Sequence, residues 1–220
     1  MTRPGKRKMP KMTTRIDRAR RIAGRFAGQR ILVLGDLMLD RYIYGSVSRI
    51  SPEAPVPVVL VRDERNMPGG AANVARNIRT LGARAMLCGL VGCDDAGSGL
   101  LKALSGCGVN TSAVIRAKGV LTTVKTRIMA ERQQVVRVDW DARPSISANT
   151  LSELCDRAVR QVRRCTGVII EDYGKGLVNQ AIVDAVLSEA RHRGVPVGLD
   201  PKDNIHLRFD GITVATPNRK

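Results

Sequence analysis

Side chains with chemical potential fall into four clusters. Asp36 and Asp40 stand just past Arg30-Ile31-Leu32-Val33-Leu34-Gly35, an apolar run of the kind that forms a buried parallel strand. Ligands of open α/β sheets collect at the carboxyl ends of strands, and paired carboxylates there can accept hydrogen bonds from sugar hydroxyls. Asp36 suits a helix or turn cap equally well. A cap is less natural for Asp40, because Arg41-Tyr42-Ile43-Tyr44 continues as a strand-like run.

The second cluster is Pro68-Gly69-Gly70-Ala71-Ala72-Asn73-Val74-Ala75, followed at helical spacing by Ile78 and Leu81 and closed by Gly82. Its first turn carries no bulky side chain, its N–H groups lack intrahelical partners, and Asn73 can both donate and accept. Close ligand approach and plain tight packing both fit such an opening. The third cluster is cationic: Lys125, Arg127, Arg132 and Arg137 are spread over a predicted hairpin, 122–139. Lys125 and Arg127 alternate with Thr126 and Ile128 and so share one face, as a phosphate clamp or a solvated surface. The fourth, Asp172-Tyr173-Gly174-Lys175-Gly176, again puts polar residues and glycines past an apolar run, 167–171.

The elements that must position these groups alternate. Strands are expected at 30–36, 84–92, 111–116, 167–171, 195–199 and 212–215, with helices through about 71–81, 95–107, 147–164 and 178–193. That βαβα alternation predicts an α/β fold with a doubly wound, mostly parallel sheet. Residues 42–65 differ: strand formers interrupted by Gly45, Pro52, Pro55 and Pro57 read as a β-flap over the crevice. Arg49 on it could face a phosphate or pair with a surface acid. With the hairpin, lid segments are expected at about 42–62 and 122–139.

The formal charge of the 220-residue chain is +17. Residues 1–30 hold eleven Lys and Arg against one acid, Asp17. Contact with nucleic acid or an anionic membrane is one reading of this basic arm. We read 1–27 as a solvated arm leading into a short helix around 13–26, because Phe26 is its only aromatic residue for base stacking. No run of eighteen apolar residues occurs and no secretory h-region follows the basic start. The five cysteines are scattered without a C-x-x-C pair and the two histidines lack partners, which fits free thiols in a reducing cytoplasm and no His/Cys metal site.

The Gly69–Ala75 segment, with Gly82 and Gly92, resembles the first signature of the ribokinase-like (PfkB) carbohydrate kinases at each defined position. Gly35-Asp36 through Tyr42, Ser48 through Val58, Asp172–Gly176, Asp200-Pro201-Lys202 and Thr216-Pro217-Asn218 look like one branch, the D-glycero-β-D-manno-heptose 7-phosphate kinases of lipopolysaccharide precursor synthesis. The resemblance spans about residues 28–220. It implies transfer of the ATP γ-phosphoryl group, with Mg²⁺, to the anomeric hydroxyl of a phosphorylated sugar. Asp40, Gly70 and Asn73, with neighbouring Asp36, Gly69 and Asp172, would hold the sugar, and Asn218 would open the nucleotide site. The lids would cover the sugar and pair in a homodimer. Charge makes Lys175, Lys125, Arg127 and Arg137 candidates for the 7-phosphate. The family's catalytic base lies in a Gly-Ala-Gly-Asp motif of its last third, and none occurs here after residue 80. The expectation is therefore a truncated, inactive chain with an exposed apolar edge. The competing readings are another ribokinase-like sugar or nucleoside kinase and a non-catalytic nucleic-acid-binding protein.

Overall fold

The computed structural model describes residues 15–141, 146–202 and 207–218. The first fourteen residues of the basic arm and Arg219-Lys220 lie outside these. Helix α1 (Arg15–Ala23) has no buried residue.

Nearly continuous apolar runs build the main sheet. Strands β1 (Arg30–Gly35), β4 (Arg84–Gly92), β5 (Asn110–Ala117), β8 (Gly167–Glu171), β9 (Val197–Asp200) and β10 (Val214–Ala215) form one parallel sheet in the order β10-β9-β8-β1-β4-β5. Alternation along β1 sends Leu32 and Leu34 to one face and Val33 to the other. The first face is covered by α4 (Ala148–Val162) and α5 (Gln180–Arg193) through Leu154, Ala158, Ile182 and Val186. The second is covered by α2 (Ala71–Thr80) and α3 (Asp95–Gly106) through Ala72, Ala75, Leu100 and Leu104. The doubly wound α/β expectation holds.

Several helix ends use ordinary capping chemistry. Ser147, Asn179 and Asp94 accept from backbone N–H groups three residues on, and Gly194 ends α5 in the left-handed region at φ 65°. The chain runs outward from β1 through β4 to β5, then returns to β8 on β1's other side. The crevice at a parallel sheet's topological switch point therefore opens between the carboxyl ends of β1 and β8.

The second sheet has the order β3-β2-β6-β7, built from β2 (Leu37–Ile50), β3 (Pro57–Gly70), β6 (Thr123–Ala130) and β7 (Gln133–Trp140). β2 pairs antiparallel with β3 and parallel with β6. Its strands exceed the expected flap: β2 begins directly after Asp36, and β3 runs into α2 at Gly70. Pro57 opens β3, an edge strand where a missing N–H costs little. Leu37, Met38 and Leu39 are buried, so the lid is rooted in the body.

Candidate functional site

The site is assembled where β2, β3, β6 and α2 meet. Gly70 caps α2 at φ 57°, ψ −138°, a conformation that L side chains rarely adopt. A Cβ there would lie 2.6 Å from the Asp36 carbonyl oxygen, and one on Gly69 would lie 2.6 Å from Asp40 Oδ2. The glycine pair is thus required by close approach, and what approaches Gly69 is the Asp40 carboxylate. Asp40 sits inside β2, opposite Met67 of β3 and Lys125 of β6.

Arg127 Nη1 donates to Asp40 Oδ1 at 2.6 Å, with both side chains about four-fifths buried. The guanidinium lies 5.2 Å from the centroid of the Tyr42 ring. The hydrogen bond to Asp40 is the main cause holding Arg127 above even its ordinary high pKa. One Asp40 oxygen is therefore oriented by Arg127 while the other faces Gly69. One turn into α2, the half-buried Asn73 amide makes no hydrogen bond among the described residues. Helix geometry also leaves the N–H groups of Ala72 and Asn73 without intrahelical acceptors, while that of Ala71 donates to the Asp36 carbonyl at 3.1 Å. A carboxylate, an amide and helix-end donors are thus gathered around the glycine pair, a set of acceptors and donors suited to a polyhydroxylated ligand.

Asp36 turns elsewhere. It is 3% exposed, and its carboxylate accepts from the backbone N–H groups of Tyr173 (2.9 Å), Lys175 (3.1 Å) and Leu177 (3.3 Å). It caps the loop after β8, filling the switch-point crevice. Burial pushes its pKa up, and those three N–H donors oppose the shift. Asp172 makes a local turn, accepting from Gly174 N at 2.8 Å. Lys175 Nζ forms an ion pair with Asp141 at the end of the lid. Arg137 pairs with Asp139 at 2.9 Å on the outer lid strand, whereas Lys125 has no ion pair among the described residues. Asn218 follows β10, three strands from β1, or roughly 14 Å at ordinary strand spacing. The geometry thus brings Asp40, Gly69, Gly70, Asn73 and Arg127 together, with Lys125 beside them and Arg137 opposite Arg127 on β7; Asp36 touches the group only through its backbone carbonyl, and Asp172, Lys175 and Asn218 stand apart.

Two carboxylates were given no site role by the sequence reading, although one of them opens the Asp200-Pro201-Lys202 motif. Glu171 ends β8 and is paired in register with Asp200 at the end of β9. Glu171 is buried, its Oε2 lacks a hydrogen-bond partner, and burial followed by the Asp200 charge pushes its pKa up to about 7. An acid closing each of two apolar runs was the available signal. No cluster of three or more His, Cys, Asp or Glu suited to a metal occurs among the described residues. Two neighbouring carboxylates nevertheless fit Mg²⁺, which retains waters and takes further oxygens from phosphates. The orphaned Oε2 is consistent with that fit.

Comparison with known proteins decides the family. The profile of the pfkB family carbohydrate kinases matches residues 29–220. The chain belongs to that family. Bifunctional protein HldE of Azorhizobium caulinodans is 44% identical over 191 residues, covering 86% of this chain and 40% of the relative. HldE of Caulobacter vibrioides is 45% identical over 201 residues, covering 89% and 40%. The chain thus spans about 40% of the length of these relatives. Among solved structures, Arabidopsis thaliana ribokinase complexed with ribose and ATP superposes with a TM-score of 0.59 at 20% identity, covering 86% of this chain and 60% of that one. Ribokinase of Cryptococcus neoformans in complex with ADP gives 0.53 at 18%, covering 81% and 52%. These structural likenesses establish a ribokinase-like fold.

Proposed function

We propose that this pfkB-family chain carries the sugar-binding part of a heptose 7-phosphate 1-kinase, acting in the cytoplasm on the ADP-heptose route to lipopolysaccharide. The Arg127-oriented Asp40 carboxylate, set against Gly69 and beside Asn73, is the observation that carries the reading. Similarity to HldE proteins supports the choice of sugar. Asp40 accepts from two sugar hydroxyls, Asn73 fixes a third, and the missing side chains of Gly69 and Gly70 let the Asp40 carboxylate and the start of α2 come close enough to act together. Lys125 and Arg127 are the nearest cations for a phosphate on the sugar, while Lys175 must first release Asp141. Bound ATP with Mg²⁺ supplies the transferable γ-phosphoryl group and neutralises its charge. Asn218 borders the nucleotide, and Glu171 and Asp200 are the carboxylates suited to the cation. Without the family's Gly-Ala-Gly-Asp segment, the 220 residues alone bind sugar and do not turn over.

Calorimetric titration with heptose 7-phosphate tests the reading. Asp40→Asn and Asn73→Ala should each weaken binding about tenfold or more, since each removes a buried polar contact. Ribose, fructose 6-phosphate and adenosine are the comparison ligands; binding of a non-phosphorylated sugar alone would overturn the substrate choice. Appreciable ATP-dependent phosphorylation by the 220-residue chain would overturn its inactivity. The exposed Val135, Val136, Val138 and Trp140 of β7 support pairing between two lids. Light scattering that gave a monomer at micromolar concentration would remove that part.

A further inference from the structure

An open cavity lies at the opposite end of the main sheet, under the amino ends of β1, β4 and β5. It encloses about 710 Å³ and is walled by Arg30, Arg79, Arg84, Arg163 and Arg164, with Asn110 among its polar residues. No acidic side chain lines it. Arg163 is committed to Glu189, at 3.1 Å, just outside the wall. The other four form no ion pair with a carboxylate among the described residues. Arg79 Nε is buried without an acceptor, although Nη1 of the same guanidinium donates to the Ala83 carbonyl at 2.8 Å.

Arginines gather near helix C-termini for a plain reason: the dipole is negative there. That accounts for Arg79 on the last turn of α2 and for Arg163 and Arg164 after α4. It does not account for Arg30 and Arg84, which begin strands, or for the convergence of all five on one concavity. Nor do these guanidiniums turn back to satisfy helix-end carbonyls; the one carbonyl bond found is to Ala83, beyond α2.

We propose that this cavity is a binding site for a small oligophosphate, either free or as the phosphate chain of a nucleotide. Guanidinium groups bind phosphate oxygens in bidentate fashion, and several converging on a pocket match a ligand with three or more negative charges. The volume lies in the range of small-molecule sites. No aromatic side chain lines the wall, so a base has nothing to stack on, and the phosphates are the recognised part. Concavity favours a compact ligand over an extended nucleic acid. The site is distinct from the Asp40 region and stands whether or not the sugar assignment holds.

The test titrates the 220-residue chain with sodium tripolyphosphate at constant ionic strength. Saturable one-to-one binding is expected, and Arg84→Ala/Arg164→Ala should weaken it about tenfold or more, the loss of two charge-assisted contacts. Arg18→Ala/Arg20→Ala, with the same charge change in exposed α1, should change it less than about twofold. ATP binding as well as tripolyphosphate, with AMP weaker, indicates that phosphates suffice; affinity for ATP alone, insensitive to the cavity variant, overturns the proposal. Equal losses in both double variants, or tighter binding of a twenty-nucleotide single strand through the same arginines, also overturn it. Thermal unfolding checks the variants, and Arg30→Ala, a single exposed change, gives the same reading if the double variant fails to fold.

Discussion

The two sheets share strand-forming residues but spend them differently. In β4 of the body, eight of nine residues are buried, whereas every residue of β7 in the lid is exposed. The inner body strands are covered on both faces by helices, so their side chains set stability, whereas both residues of the edge strand β10 are exposed. Away from its roots the lid stands in solvent, held by backbone ladders and cross-strand contacts such as Arg41–Glu64 and Arg65 over Tyr44. The difference separates the sheet that keeps the chain folded from the sheet that carries Asp40 and Arg127.

The contrast can be broken most directly by truncation. Leu34→Ala, at a fully buried body position, should cost about 2–5 kcal/mol, while Val138→Ala on the lid should stay within about 1 kcal/mol. Denaturant melts compare the two, and similar losses would mean that the lid is structural as well. Next in size is a pH effect from the body's carboxyl edge. Glu171 titrates near 7 in the fold against 4.5 when free, so the folded chain holds this proton more tightly. Its contribution is full below about pH 4.5 and is lost as pH rises through 7, about 3 kcal/mol in all. Glu171→Gln should flatten that slope in melts taken between pH 5 and 8; an unchanged slope would place the titration elsewhere.

At the junction, Asp94 accepts from Gly97 N, Thr122 N and Thr122 Oγ1, each at 2.7 Å, tying the helix start to the lid root. Asp94→Ala should cost about 1–3 kcal/mol and speed amide exchange along β6 more than along β4. A stability effect as small as that of Val138→Ala, within about 1 kcal/mol, belongs to Arg127→Ala, because its ion pair still reaches solvent. Its sugar affinity should fall far more, and a melt that dropped as steeply as that of Leu34→Ala would erase the division of labour.

The body was legible because burial on both faces writes continuous apolar runs such as Ile31–Leu34 and Val168–Ile170. The distal lid was legible only in part. Arg62-Asp63-Glu64-Arg65-Asn66 belongs to β3, yet an edge strand wetted on both faces has no hydrophobic alternation to read. Asp40 and Arg127 meet across a parallel pairing of residues 87 apart, which local pattern cannot reveal. Asp36 offered two readings, and the loop after β8 selects the cap. The cavity arginines lie at five dispersed positions, each an ordinary surface cation until the strand ends converge.

The rooting of β2 has a mechanical consequence. Asp40 lies two residues beyond Met38, the first lid residue paired with β6, whereas Ile50 lies twelve beyond it. Along an extended path, a rotation of about ten degrees about the root carries the tip about 7 Å and Asp40 about 1 Å. The lid is a long lever with the Asp40 carboxylate near the fulcrum. Wide swings at the outer edge therefore scarcely change the Asp40–Arg127 geometry.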